Sequence, residues 1–255
     1  MATDNDSTIN SESILKLIKL PDLLSICNAL LGFTAIIFVL TDVSEEAIKN
    51  ALVLILVAAV IDGLDGTVAR TVECSPIGKY LDSLADMISF GIAPAIVAYA
   101  LLKIYLQVSY MYVEVVLAFC GAYVICGLLR LARFDANANL ESDQKKGRKD
   151  FVGFPITGAA IFLASFMLLA VEIHLLSCSS FLIGLMCILC LLMISRIRYK
   201  NIRDRRIIIP AGIVFLTLFI FYIFSLQFVY PAAIIAALMV IYICGPLVRV
   251  LGADY

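Results

Sequence analysis

The chain has 255 residues, of which 63% are hydrophobic and only 15% charged, and its mean hydropathy is +1.04. These values exclude an ordinary soluble domain and point to an integral membrane protein. The net charge of −1 decides nothing further, because in a membrane protein the distribution of Lys and Arg matters more than their sum.

The apolar segments run about 20 residues each, enough to cross roughly 30 Å of hydrocarbon, and they lack the ten-residue alternation of a membrane barrel. The expected fold is all-α, a polytopic bundle of about eight transmembrane helices. In chain order, residues 1–20 form a polar N-terminal segment. Its start, "MATDNDSTINSES", has no basic n-region or apolar h-region, so no cleaved signal peptide is expected. Apolar length then predicts spans near 21–41, 48–70, 82–103, 112–134, 153–173, 178–195, 206–226 and 229–249. The first six, over 21–195, form a core. Residues 196–255 supply a basic loop and two additional helices.

Alternate loops fall on opposite sides, and the basic residues sort between them. One side receives Lys16 and Lys19, Arg70 and Lys79, the long 134–152 connection with Lys145, Lys146, Arg148 and Lys149, and the loop "RIRYKNIRDRR" with six basic residues. The other receives Lys49 and Lys103. The positive-inside rule therefore assigns both termini and the loop after the second span to the cytoplasm. The long connection is also positioned to cover a site. Six cysteines (27, 120, 126, 187, 190 and 244) lie within apolar runs and read as small packing residues. The Cys187/Cys190 pair lacks further zinc ligands, since the single histidine, His174, falls on the far side.

Between the second and third spans lies "IDGLDGTVARTVECSPIGKYLDSLADMISFG". Asp62 and Asp65 are spaced i, i+3, and Asp82 and Asp86 i, i+4, so each pair projects from one helix face. Pro76 favours an extended Ser75 and a turn before Gly78, and a helical hairpin brings the two pairs face to face. An aspartate at mid-bilayer costs ~2.5–3.5 kcal/mol, and clustered ones repel. Arg70 and Lys79 alone leave a carboxylate excess, which suits hard divalent cations bound through oxygen, Mg²⁺, Mn²⁺ or Ca²⁺ rather than zinc. Two such ions clamp a phosphate or pyrophosphate. Gly66 and Ala69 allow a flat group to approach or serve ordinary helix packing. The competing reading is a divalent-cation transporter, although transporters scatter their acids through several helices near the midplane.

The same residues match the signature of the CDP-alcohol phosphatidyltransferase family, D-x-x-D-G-x-x-A-R, seven or eight residues, then G-x-x-x-D-x-x-x-D. The chain supplies "DGLDGTVAR", "TVECSPI" and "GKYLDSLAD". Around it, "LPDLLSICNALLGF", "LDSLADMISFGIAPA", "CGLLRLARF" and "FVGFPITGAA" resemble the phosphatidylserine synthase branch of that family, bacterial type or archaeal, the latter making archaetidylserine. The resemblance implies a six-helix catalytic core. It also implies metal-dependent transfer of a phosphatidyl group from a CDP-activated lipid, CDP-diacylglycerol or CDP-archaeol, to L-serine with release of CMP.

Residue by residue, the resemblance implies that Asp62, Asp65, Asp82 and Asp86 hold two divalent cations, Mg²⁺ or Mn²⁺, with Asp86 also the general base. It implies that Gly66, Ala69 and Gly78 pack against the cytidine and that Arg70 lies by its phosphates. Arg130 and Arg133, which interrupt "LLRLARF", are the nearest unassigned cations for the serine carboxylate; their plainer reading is snorkelling to the interface. Lys79 pairs with the acids or a phosphate, and Asn28 hydrogen-bonds across to another helix or a headgroup. The expected partners are the CDP-lipid, L-serine, the bilayer and, by resemblance, a second copy in a homodimer, with no nucleic acid. Glycerol 3-phosphate and an inositol phosphate are the alternative acceptors, and they would demand a stronger phosphate-binding cluster.

Overall fold

A computed structural model describes residues 18–68, 75–106, 110–140, 151–173, 179–199, 217 and 229–252. The described chain is almost wholly helical: α1 (Leu20–Thr41), α2 (Glu45–Val68), α3 (Gly78–Asp86), a π-helical segment (Met87–Ile92), α4 (Ala93–Leu106), α5 (Tyr110–Leu140), α6 (Ile156–Glu172), α7 (Ser179–Ile194) and α8 (Val229–Gly252). Four stretches are long and apolar enough to cross a membrane, Leu20–Thr41, Glu45–Leu64, Gly78–Ile104 and Val113–Asn137, with shorter apolar helices in the later part. The chain is a multi-pass helical membrane protein. The predicted span near 206–226 falls outside the described residues apart from Thr217.

Several boundaries differ from those expected by three residues or more, and three of them have a local cause. The third span begins at Gly78 rather than 82, because the turn at Pro76 is closed by bonds from the Gly78 N–H to the Ser75 carbonyl (3.2 Å) and from the Ile77 N–H to Ser75 Oγ (3.3 Å). Helix α5 continues through Arg133 to Leu140, since no Gly or Pro after Gly127 interrupts it and "ANAN" extends its last turns. Helix α6 starts at Ile156, with Pro155 extended before it at φ −67° and ψ 141°, the conformation proline fixes.

Helix α6 is the centre of the bundle. It is apolar all round, and twelve of its residues are buried, from Ile156 to Val171; a helix with no polar face belongs inside protein. Helices α2, α8 and α7 pack around it. By contrast α1 and α5 turn Phe33, Ile37, Leu117, Ile125 and Leu128 outward, as lipid-facing helices do. Far from the aspartates, Lys49 Nζ at the start of α2 pairs with Glu172 Oε2 at the end of α6 at 2.6 Å, tying the two central helices at that end. Cys120, Cys126 and Cys190 are buried, in keeping with packing roles.

At the other end the chain forms a small strand pair that the sequence did not announce. Strands β1 (Phe151–Val152) and β2 (Arg198–Tyr199) run antiparallel, with Phe151 opposite Tyr199 and Val152 opposite Arg198. Gly153 follows in the left-handed region at φ +84°, donating its N–H to the Ile197 carbonyl at 2.8 Å. A side chain there would be strained by the backbone and would meet the Met193 carbonyl at 2.7 Å and the Arg133 guanidinium. Phe154, Tyr199 and Tyr242 form an aromatic trio with centroids 5.3–6.0 Å apart. Through Tyr242 this trio fastens α8 to the core.

The π segment is gripped from three sides. Ser89 Oγ donates to the Asn28 carbonyl of α1 at 2.7 Å, Tyr123 of α5 donates to the Phe90 carbonyl at 3.2 Å, and Gly91 lies under Ile156 of α6. Gly32 makes the first of these contacts possible, because a Cβ there would sit 2.6 Å from Ser89 Cα. Gly32→Ala is therefore expected to force α1 off the π segment and cost about 1–3 kcal/mol, read as a lowered unfolding temperature in detergent. Gly121→Ala, whose Cβ would meet nothing within 4 Å, is the control and should be near neutral; equal effects would refute this account.

Candidate active site

Helices α2 and α3 bring three of the four aspartates together, as their spacing predicts. Carboxylate oxygens of Asp62, Asp82 and Asp86 all lie within 4.8 Å of one another. Asp62 and Asp82 are half-buried and Asp86 is buried. Asp65 lies one turn on from Asp62 in α2, with its side chain outside the described residues. Gly66 is also in α2, and Ala69 and Arg70 fall outside the described residues. Gly78 opens α3 against α1: a Cβ there would lie 2.7 Å from Oδ1 of Asp22, a buried acid whose Oδ2 accepts from the Lys19 N–H at 2.8 Å.

Two groups that sequence reasoning did not connect to the acids touch them directly. Thr157, in the first turn of α6, donates its hydroxyl to Asp62 Oδ2 at 3.3 Å. Asn28 of α1, fully buried, donates its amide to Asp86 Oδ1 at 3.2 Å. Both residues sit in segments quoted for their family likeness, "LPDLLSICNALLGF" and "FVGFPITGAA", and the signal available was a polar side chain in an apolar run. Their partners lie 58 and 95 positions away, a pairing that no local pattern encodes.

The two arginines of "LLRLARF" part company. Arg133 donates to the carbonyls of Met193 (3.0 Å), Ile194 (3.1 Å) and Ser195 (3.3 Å). It caps the C-terminus of α7, where unsatisfied carbonyls and the helix dipole favour a cation. Arg130, by contrast, is buried and stacks over the Phe134 ring at 5.4 Å. Among the described residues it makes no hydrogen bond or salt bridge, and the carboxylate charges acting on it are Asp86, then Asp62 and Asp135. Lys79 donates to the Asp135 carbonyl at 2.9 Å, with the Asp135 carboxylate at 3.7 Å. Of the two candidate arginines, Arg130 is the one on which the charge of the acids acts, and Arg133 binds the end of α7.

Carboxylates this close repel strongly in a medium of low dielectric unless a cation sits among them. The donor set is oxygen only, which fits a hard divalent ion of the Mg²⁺ or Mn²⁺ kind. One further group fits a polar occupant: Oδ1 of Asn28 is buried without a hydrogen-bond partner among the described residues. The arrangement thus combines an anionic cluster able to hold metal with a buried guanidinium beside it.

Comparison with known proteins agrees with that chemistry. The family model for CDP-alcohol phosphatidyltransferase matches residues 18–193. Archaetidylserine synthase of Methanothermobacter thermautotrophicus is 37% identical over 163 residues, covering 63% of this chain and 62% of that protein. The CDP-diacylglycerol–serine O-phosphatidyltransferase of Helicobacter pylori is 31% identical over 232 residues, 90% of each chain. Its namesake in Methanocaldococcus jannaschii is 35% identical over 190 residues, 74% of this chain and 77% of that one. The family match spans every element that carries the aspartates, Asn28, Arg130 and Thr157, and the chain belongs to the CDP-alcohol phosphatidyltransferase family.

Proposed function

We propose that this chain is a serine phosphatidyltransferase, moving the phosphatidyl group of a CDP-activated lipid onto L-serine and releasing CMP. The observation that carries the reading is the convergence of Asp62, Asp82 and Asp86 within 4.8 Å in a member of this family. The serine acceptor is supported by the relatives named for that reaction. It is supported too by the buried guanidinium of Arg130, on which the charges of Asp86 and Asp62 act and which suits a carboxylate.

Asp62, Asp65, Asp82 and Asp86 would hold two divalent cations, Mg²⁺ or Mn²⁺, which neutralise the pyrophosphate and leave its phosphorus open to attack. Thr157 fixes Asp62 from α6. The acceptor hydroxyl gives its proton to Asp86 as its oxygen bonds to the lipid-bearing phosphorus, and the bond from that phosphorus to the oxygen of CMP breaks. Arg130 holds the serine carboxylate and so aims the hydroxyl. Gly66, Ala69 and Gly78 pack against the cytidine and Arg70 lies by its phosphates, as the family likeness implies. The positive-inside pattern supports an active site and both termini at the cytoplasmic face, where the donor's tails stay in the bilayer while its headgroup enters sideways. A homodimer, implied by the same likeness, belongs to this proposal.

Purified protein in detergent given labelled serine, Mn²⁺ or Mg²⁺ and either CDP-diacylglycerol or CDP-archaeol is expected to release CMP and label the lipid. No CMP with any acceptor would sink the enzyme reading and favour cation transport. Asp86→Asn is expected to cut turnover at least about 10²-fold, as loss of a general base does, in protein that still elutes as a folded species. Arg130→Gln should raise the serine KM about 10–100-fold, the equivalent of a lost charged hydrogen bond. Arg133→Gln should leave that KM alone and lower the unfolding temperature; the opposite pattern would return Arg133 to the substrate.

A further inference from the structure

A buried asparagine in a lipid-exposed helix is an expensive choice unless its hydrogen bonds are needed. Asn28 lies in α1 between apolar neighbours, is completely buried, and spends its amide N–H on one oxygen of Asp86. Its own carbonyl oxygen, Oδ1, is buried with no partner among the described residues, an omission that carries an uncompensated desolvation cost. Packing alone would favour leucine or alanine at this position. Stability does not explain an amide that satisfies a carboxylate and leaves itself half satisfied.

The backbone around this contact is built to hold it still. Ser89 donates to the Asn28 main-chain carbonyl at 2.7 Å, and Gly32, one turn further along α1, lets Ser89 approach to backbone distance. Ser89 belongs to the π segment that begins immediately after Asp86, and such segments recur at functional sites because they re-aim neighbouring side chains. Asn28 and Ser89 therefore bracket Asp86 from its partner helix and from its own.

We infer that Asn28 is a positioning residue for Asp86: its amide N–H holds Oδ1 of the carboxylate and orients the other oxygen toward the metal ions and the acceptor hydroxyl. The inference rests on the reading of Asp86 given above, but it makes a separate claim, that α1 contributes to the metal centre although it carries none of the signature acids. Partners of metal-ligating groups characteristically change metal affinity or activity about 10–100-fold when removed. Asn28 should behave in that way and not as a mere packing residue.

The test uses the full chain in detergent and two readouts. The first is Mn²⁺ binding by electron paramagnetic resonance with no substrate present; the second is the separation of kcat from the KM values for serine and CDP-lipid. Asn28→Leu, the same branched shape without the donor, is expected to weaken Mn²⁺ binding about 10–100-fold and to lower kcat, while both KM values stay within about threefold of the parent's. Asn28→Gln, which keeps the amide but displaces it, is expected to fall between the two in Mn²⁺ affinity, and it carries the test if the leucine variant does not fold. A folded variant that binds Mn²⁺ as the parent does and turns over at the parental rate overturns the inference, as does one in which only the unfolding temperature moves. If the parent protein transfers nothing to serine, the proposed function fails, while the Mn²⁺ arm still judges Asn28.

Discussion

Repulsion among carboxylates in a medium that cannot screen them is the constraint around which this molecule is arranged. Three acid side chains come within 4.8 Å of one another at one end of a helical bundle, where hydrocarbon and protein lower the dielectric and magnify like-charge repulsion. The surroundings answer in kind. Thr157 and Asn28 donate to two of the acids, Arg130 brings a buried positive charge, and the oxygen-only donor set matches a divalent ion. The elements that supply these groups, α1, α2, α3, α5 and α6, are spread along the chain, so the acids act as an organising point for the whole core.

The helices are also held by contacts that involve none of the acids, at the far end of the bundle and beside the site. Lys49 and Glu172 join α2 to α6 away from the acids. Arg133 gathers three carbonyls at the end of α7 and lies against Gly153, whose left-handed backbone turns the chain from the strand pair into α6. Phe154, Tyr199 and Tyr242 bring α8 onto the same corner. Since α6 begins there and offers Thr157 to Asp62 two residues after Pro155, the corner fixes where that hydroxyl can reach. Scaffold and chemistry meet at the first turn of α6.

The acids and the helical class were legible in the sequence because both depend on local spacing. Asp62, Asp82 and Asp86 follow from helical periodicity and a turn at Pro76, and apolar length yields the spans. What escaped depends on contacts across the bundle. Arg130 and Arg133 are the same residue type three positions apart, and nothing in "LLRLARF" says that one meets the end of α7 while the other lies buried within the field of the acids. Asn28 read as a polar group in a membrane helix, and only the crossing of α1 over the π segment supplies its partner. The strand pair was invisible because two-residue strands leave no period to detect, and the helical run of α5 past Arg133 was hidden by its polar composition.

The π segment at Met87–Ile92 also sets the rotational phase of the third span. A wider turn accommodates an additional residue without breaking the rod, and each residue in an α-helix corresponds to roughly 100° of rotation. The acids of α3 and the apolar residues of α4 thus belong to one continuous membrane crossing, with the π turn offsetting the angular setting of one set from the other. Asp82 and Asp86 lie at the cluster, while Val97, Ala98 and Leu101 are buried in the core. The span works as two segments offset in phase, and the joint between them begins one residue beyond Asp86.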